Sequence, residues 1–104
     1  MGTLPIDDED AALYTIGQVA ALLEVQLAFL RRLDEQGIVV PGRSPGGQRR
    51  YSRREIDRVA EAVELIDEGV TLVGVRHVLA LREQVAGLQA DLSALRSSPG
   101  PTAP

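Results

Sequence analysis

The sequence predicts a mostly α-helical fold: a winged helix-turn-helix with a two-stranded wing and a C-terminal dimerisation helix. Three observations predict it. Arg43-Ser44-Pro45-Gly46-Gly47-Gln48-Arg49-Arg50-Tyr51 packs three arginines around a Pro-Gly-Gly turn. Two short helical patterns precede that stretch, and a long heptad seam follows it. Proline presets φ and glycine admits φ > 0, so Pro45-Gly46-Gly47 reads as the tip of a hairpin. The apolar run Gly37-Ile38-Val39-Val40-Pro41 is the expected outgoing strand, and Gln48-Arg49-Arg50-Tyr51 the return strand. A basic hairpin beside paired short helices is a layout used to hold DNA; the plain alternative is a solvated loop.

The helices are justified by period and caps. Thr15 is placed to cap a first helix whose Ile16, Val19, Ala20 and Leu23 fall on one face at i, i+3, i+4 and i+7. Glu24-Val25 is a tight break. The second helix is expected from about Gln26 to Gln36, with Leu27, Leu30 and Leu33 inward and Gly37 as its stop. After the hairpin, Ser52-Arg53-Arg54-Glu55 reads as a capping box for a third helix with Ile56, Val59, Val63 and Ile66 buried. Glu68-Gly69 ends it, and Thr71 caps the next. From there Val78, Leu81, Val85, Leu88, Leu92 and Leu95 recur at spacings of 3, 4, 3, 4 and 3, the a/d seam of a coiled coil. A stripe that narrow calls for a second helix, although it can also fold back on its own domain. The expected division is a disordered acidic arm at 1–13, the winged domain at 14–77, the coiled-coil helix at 78–96 and a disordered Pro-rich tail at 97–104.

Charge supports this reading in its distribution rather than its sum. The 104 residues carry a formal charge of −4, yet residues 31–58 hold eight of the eleven arginines against four acids. Residues 1–30 hold five acids and no arginine. A basic centre between acidic ends is an electrostatic footprint that the net charge conceals. There is no lysine; arginine alone makes bidentate contacts to phosphate and guanine. With no cysteine and a single histidine, His77, no thiolate or histidine metal site is expected, nor any cofactor. No glycine-rich phosphate loop leads from a strand into a helix, and Gly46-Gly47 lies inside a hairpin, the wrong context for one, so an enzyme is not expected. No apolar run reaches membrane-spanning length and no signal peptide is visible, so the expected location is the cytoplasm, on the nucleoid.

These residues together resemble the MerR family of bacterial transcription regulators. The resemblance runs from Tyr14 to about Leu95. It is carried by Thr15-Ile16-Gly17-Gln18-Val19-Ala20, by Leu30-Arg31-Arg32-Leu33-Asp34-Glu35-Gln36-Gly37-Ile38, by Pro41, and by the wing signature at Arg43, Gly47, Arg49 and Tyr51. Ser52 and Glu68-Gly69-Val70-Thr71-Leu72 complete it. The subgroup it looks most like is the small heat-shock repressor type. The resemblance implies a homodimer joined by an antiparallel pair of C-terminal helices, bound to double-stranded DNA. Three departures stand out. Arg32-Leu33 replaces an aromatic pair and its phenolic phosphate contact. Phe29 stands where threonine or alanine is frequent. No effector-binding domain is expected after the coiled coil and no cysteines match the metal sensors, which leaves a regulatory protein partner as a means of control.

Resemblance and charge agree on Arg31, Arg43, Arg49, Arg50 and Tyr51 as contacts to the DNA backbone, with Arg49 favoured over Arg50 to face it. Gln26, Ala28 and Arg32 are expected at base edges, Gln26 suited to adenine and Arg32 to guanine. Thr15 and Arg53, each at a helix start, complete the DNA-binding set. The function so expected is a sequence-specific regulator, most simply a repressor. An architectural DNA-binder and a coiled-coil adaptor are the alternatives.

Overall fold

The computed structural model describes residues 8–97. In chain order the elements are β1 (Tyr14–Thr15), α1 (Ile16–Leu23), α2 (Leu27–Glu35), β2 (Gly42–Arg43), β3 (Arg49–Tyr51), α3 (Arg53–Asp67) and α4 (Leu72–Ser97). Residues 1–7 of the expected arm and 98–104 of the expected tail lie outside the described residues.

Local chemistry explains where each helix starts and stops. The Thr15 hydroxyl accepts from the Gln18 amide at 3.1 Å, and the Gln18 side chain accepts from the Thr15 amide at 2.8 Å, a reciprocal box. Ser52 and Glu55 repeat it at α3, at 3.1 and 2.8 Å. The Thr71 hydroxyl accepts from the Gly74 amide at 3.1 Å at the head of α4. Between α1 and α2 the chain reverses at Glu24, a left-handed residue with φ 55° and no glycine to ease it. At the end of α2 the Ile38 amide donates to the Leu33 carbonyl at 2.8 Å and Gly37 to Asp34 at 3.0 Å, with Gly37 at φ 69°. This paired closure turns Ile38 back onto the buried Leu33.

That closure is why the expected outgoing strand is not one. Ile38 and Val39 are spent on capping α2 and filling the core, at 6% and 1% exposure. The strand forms four residues later, at Gly42–Arg43. The sheet also has a third strand. Tyr14–Thr15 pairs antiparallel with β3, giving the order β1-β3-β2, so the wing is rooted in the chain that enters α1. The registers are Tyr14 with Tyr51, Thr15 with Arg50, Gly42 with Arg50 and Arg43 with Arg49.

The core joins Val19 of α1, Leu30 and Leu33 of α2, Tyr51 of β3, Ile56, Val59, Ala62 and Leu65 of α3, and Val75 and Leu79 of α4. Burying each of the large aliphatic side chains contributes roughly 1.5–3 kcal/mol. Three inward assignments need correction. Leu27 is 40% exposed, because it is the first residue of α2, where the helix has only begun to enter the core. On α3, Ala62 and Leu65 are buried while Val63 and Ile66 are only partly covered; α4 packs on that flank, and Val63 and Ile66 line a shallow cleft with Val25 and Phe29. Val78, assigned to the dimer seam, packs against the protein's own core.

Helix α4 is continuous across the boundary expected between residues 77 and 78, and Ser97 belongs to it rather than to the tail. Its first part is held to α3 by the buried Val75 and Leu79 and, about a turn further on, by the ion pairs Arg58–Glu83 and Glu61–Arg82. From Ala80 to Ser97 every residue is exposed, so the helix leaves the domain as a projecting rod. No helix among the described residues is long and apolar enough to cross a membrane. Residues 8–13, expected to be loose, lie against the start of α3. The Arg54 amide donates to the Glu9 carbonyl at 3.0 Å, and its guanidinium meets Asp10 at 2.7 Å and Glu9 at 3.2 Å. These acids therefore neutralise an arginine of α3 and not those of the wing.

Candidate nucleic-acid interface

Two surfaces meet at the basic end of the domain. The first is the outer face of α2. Burial of Leu30 and Leu33 turns Ala28, Arg31 and Arg32 outward, all exposed, and Leu27 joins them. Gln26 is the N-cap residue but makes no side-chain cap bond, so its exposed amide keeps its donors and acceptor. An exposed helix face with amide, methyl and guanidinium groups offers what the major-groove edges of bases bind. The spacing of Leu27 to Leu30 and Leu33 matches a buried stripe, but its side chain is 40% exposed and adds an alkyl group to this face.

The second surface is the wing. Pro45 and Gly46 occupy a turn closed by the Gly47 amide donating to the Ser44 carbonyl at 2.8 Å, with Gly47 at φ 82°. The Ser44 hydroxyl accepts from the Gln48 amide at 3.1 Å. This turn carries Arg43 and Arg49 as cross-strand partners. A groove between the wing and the helices is lined by Thr15, Ile16, Arg31, Arg43, Gly47, Gln48, Arg49 and Arg50. Five of the ten residues expected to bind DNA thus converge, and four of them are arginines from three elements. Clustered guanidinium groups along a groove are the usual means of holding a phosphate backbone. Gln26, Ala28 and Arg32 lie outside this groove on the face of α2. Arg53 lines a separate cleft with Glu9, Tyr14, Leu22, Ile56 and Asp57, where two acids offset its charge.

Two assignments change. Tyr51 is 1% exposed, the largest fully buried side chain, and its hydroxyl has no hydrogen-bond partner among the described residues. Burial pushes its phenol above the ordinary value, so it stays neutral. It is the pillar under the wing and cannot reach a phosphate. Arg49 was expected to be the freely offered arginine of β3 and Arg50 the one turned away. Strand alternation places Arg49 on the same face as Tyr51, toward the helices. There its Nε donates to Asp34 Oδ2 at 2.7 Å, and its side chain is only 20% exposed. Arg50 lies on the opposite face with Thr15 and Gly42, one Nη donating to the Arg49 carbonyl at 3.3 Å.

Asp34 is the functional neighbour that sequence reasoning passed over. It also accepts from Arg43 Nη2, at 3.1 Å. Its signal was present as an acid one turn after Arg31 in the most basic part of the chain, but its partners lie 9 and 15 residues away. No group of three or more histidine, cysteine, aspartate or glutamate side chains suited to a metal occurs among the described residues.

Known proteins are similar to this chain in sequence. A heat shock protein HspR of Streptomyces coelicolor is 37% identical over 91 residues, covering 86% of this chain and 60% of the relative. The transcriptional regulator GlnR of Bacillus cereus is 31% identical over 77 residues, covering 74% of this chain and 60% of GlnR. The transcriptional regulator MlrA of Escherichia coli is 39% identical over 70 residues, covering 66% of this chain and 29% of MlrA. The chain therefore spans less than two thirds of the length of these relatives. A family model described as MerR HTH family regulatory protein matches residues 14–81, from β1 through α2, the wing and α3 into the exposed part of α4, and the chain belongs to the MerR family.

Proposed function

We propose that this protein is a sequence-specific transcription regulator of the cytoplasm that binds double-stranded DNA as a homodimer. The observation that carries it is the groove in which Arg31, Arg43, Arg49 and Arg50 converge beside the exposed face of α2. In this reading α2 enters the major groove and the wing follows the adjoining backbone. Arg31, Arg43, Arg49 and Arg50 bind phosphate and set position; Gln26, Leu27, Ala28 and Arg32 read bases. Arg53 and Thr15 serve as secondary backbone contacts. Support for the homodimer comes from α4, where Leu81, Val85, Leu88, Leu92 and Leu95 are 47–74% exposed on one stripe of a projecting helix. Two such rods side by side, running in opposite directions, cover both stripes and set two recognition helices on one face of DNA. The heat-shock relative and the resemblance to small heat-shock repressors support repression, with a regulatory protein partner as its control.

The test is to sequence the DNA that the protein occupies in its host, then titrate the recovered site and a random duplex across a range of salt. Preference for a site with two-fold symmetry, with affinity falling steeply with salt, supports the reading. Absence of binding to either duplex refutes it. Binding without sequence preference favours an architectural role instead.

A further inference from the structure

We infer that Asp34 is the positioning residue of the wing, a carboxylate on α2 that holds Arg43 and Arg49 in the orientation in which they meet phosphate. This rests on the DNA-binding reading above. One oxygen, Asp34 Oδ2, takes both arginines: Arg49 through Nε at 2.7 Å and Arg43 through Nη2 at 3.1 Å. The Asp34 side chain is only 10% exposed, that of Arg49 20% and that of Arg43 49%. The pair thus runs from a buried anchor out to the surface.

The chemistry follows from the fork of the guanidinium. Each arginine carries five N–H donors, and each spends a single nitrogen on Asp34. Arg49 keeps both Nη groups, and Arg43 keeps Nε and Nη1. A long side chain that is free must be ordered on binding, at an entropic cost; one held by a carboxylate is ordered already. The bond also crosses from α2 to both wing strands, since Arg43 and Arg49 are cross-strand partners. It therefore sets the wing against the recognition helix, and those two elements must fit the groove and its backbone together. The arginines cannot both leave Asp34 for phosphate without stranding a nearly buried carboxylate, which is strongly unfavourable. Asp34 stays paired when DNA binds.

This gives a sign that simple electrostatics does not. Asp34→Asn makes the protein one unit more positive, and charge alone then tightens binding to a polyanion. Positioning demands the reverse. We expect Asp34→Asn to weaken binding to the recovered site by about tenfold or more, the scale of losing charge-assisted bonds. The control Glu35→Gln changes charge equally at the next, exposed residue of α2 and should leave binding unchanged or tighter. Arg49→Lys keeps the charge but replaces the rigid planar fork with a flexible point charge that Asp34 cannot aim, and it should weaken binding like Asp34→Asn. Circular dichroism and melting of each variant accompany the titrations; if Asp34→Asn does not fold, Arg49→Lys decides. Binding by Asp34→Asn as tight as wild type, or wild-type affinity in Arg49→Lys, overturns the proposal. Failure of the wild-type protein itself to bind DNA overturns the functional reading, a separate outcome.

Discussion

Replacing Leu88 with aspartate tests the assembly at the centre of the exposed stripe. Leu88 is 63% exposed, so pairing with a second helix has most of its side chain left to bury. Full burial of a leucine is worth roughly 1.5–3 kcal/mol, so the exposed share contributes about 1–2 kcal/mol. In a two-fold dimer the change occurs twice, once in each protomer, and the loss doubles to about 2–4 kcal/mol. At about 1.4 kcal/mol per decade, this weakens the dimer roughly 30- to 1000-fold before any cost of burying carboxylates. The substitution lies beyond Leu79, the last buried residue of α4, so α1, α2 and the wing keep their core. Sedimentation over a concentration series should show a monomer–dimer equilibrium for wild type and monomer for Leu88→Asp. Operator binding should lose its cooperativity while the melting of the winged domain changes little. Wild type that stays monomeric at every concentration, free and on its operator, refutes the homodimer and with it the geometry of paired half-sites.

Other outcomes follow from the wing and the caps. Tyr51→Phe should leave stability equal or higher, since it removes a buried hydroxyl without a partner, and DNA affinity should be unchanged in a titration. The pH dependence has a definite sign: the folded phenol is raised above 10.0, so its contribution is intact below that pH and is lost as pH rises toward the folded value. Alkaline melts of wild type should fall more steeply than those of Tyr51→Phe. Arg31→Ala should weaken binding to all sequences alike and lower the salt slope by about one, whereas Arg32→Ala should relax discrimination at one base step. Ser52→Ala removes the cap of α3 and should cost about 1 kcal/mol, read as a melting temperature lower by roughly 4–8 °C.

Periodic and local features were legible in the chain alone. Thr15, Ser52 and Thr71 act on amides three residues away, so sequence spacing suffices to find them. The Pro-Gly-Gly turn and the alternation of α2 between leucine and arginine are likewise local, and they brought the basic groove within reach. Tertiary structure decided what depends on distant partners. Arg49 and Arg50 are equal neighbours in sequence; pairing of β3 with both β1 and β2 sets which of them faces Asp34. Tyr51 has the composition of a phosphate contact and the position of a core pillar, because strand alternation buries it against the helices. Ile38 and Val39 have strand propensity, but the closure of α2 places them in the core before a strand can begin. Val78 fits the heptad as well as Leu81 does, and only the packing of α4 against α3 assigns it to the domain. A sequence specifies its short-range hydrogen bonds directly, while the face a side chain presents is settled by whatever packs on the other side.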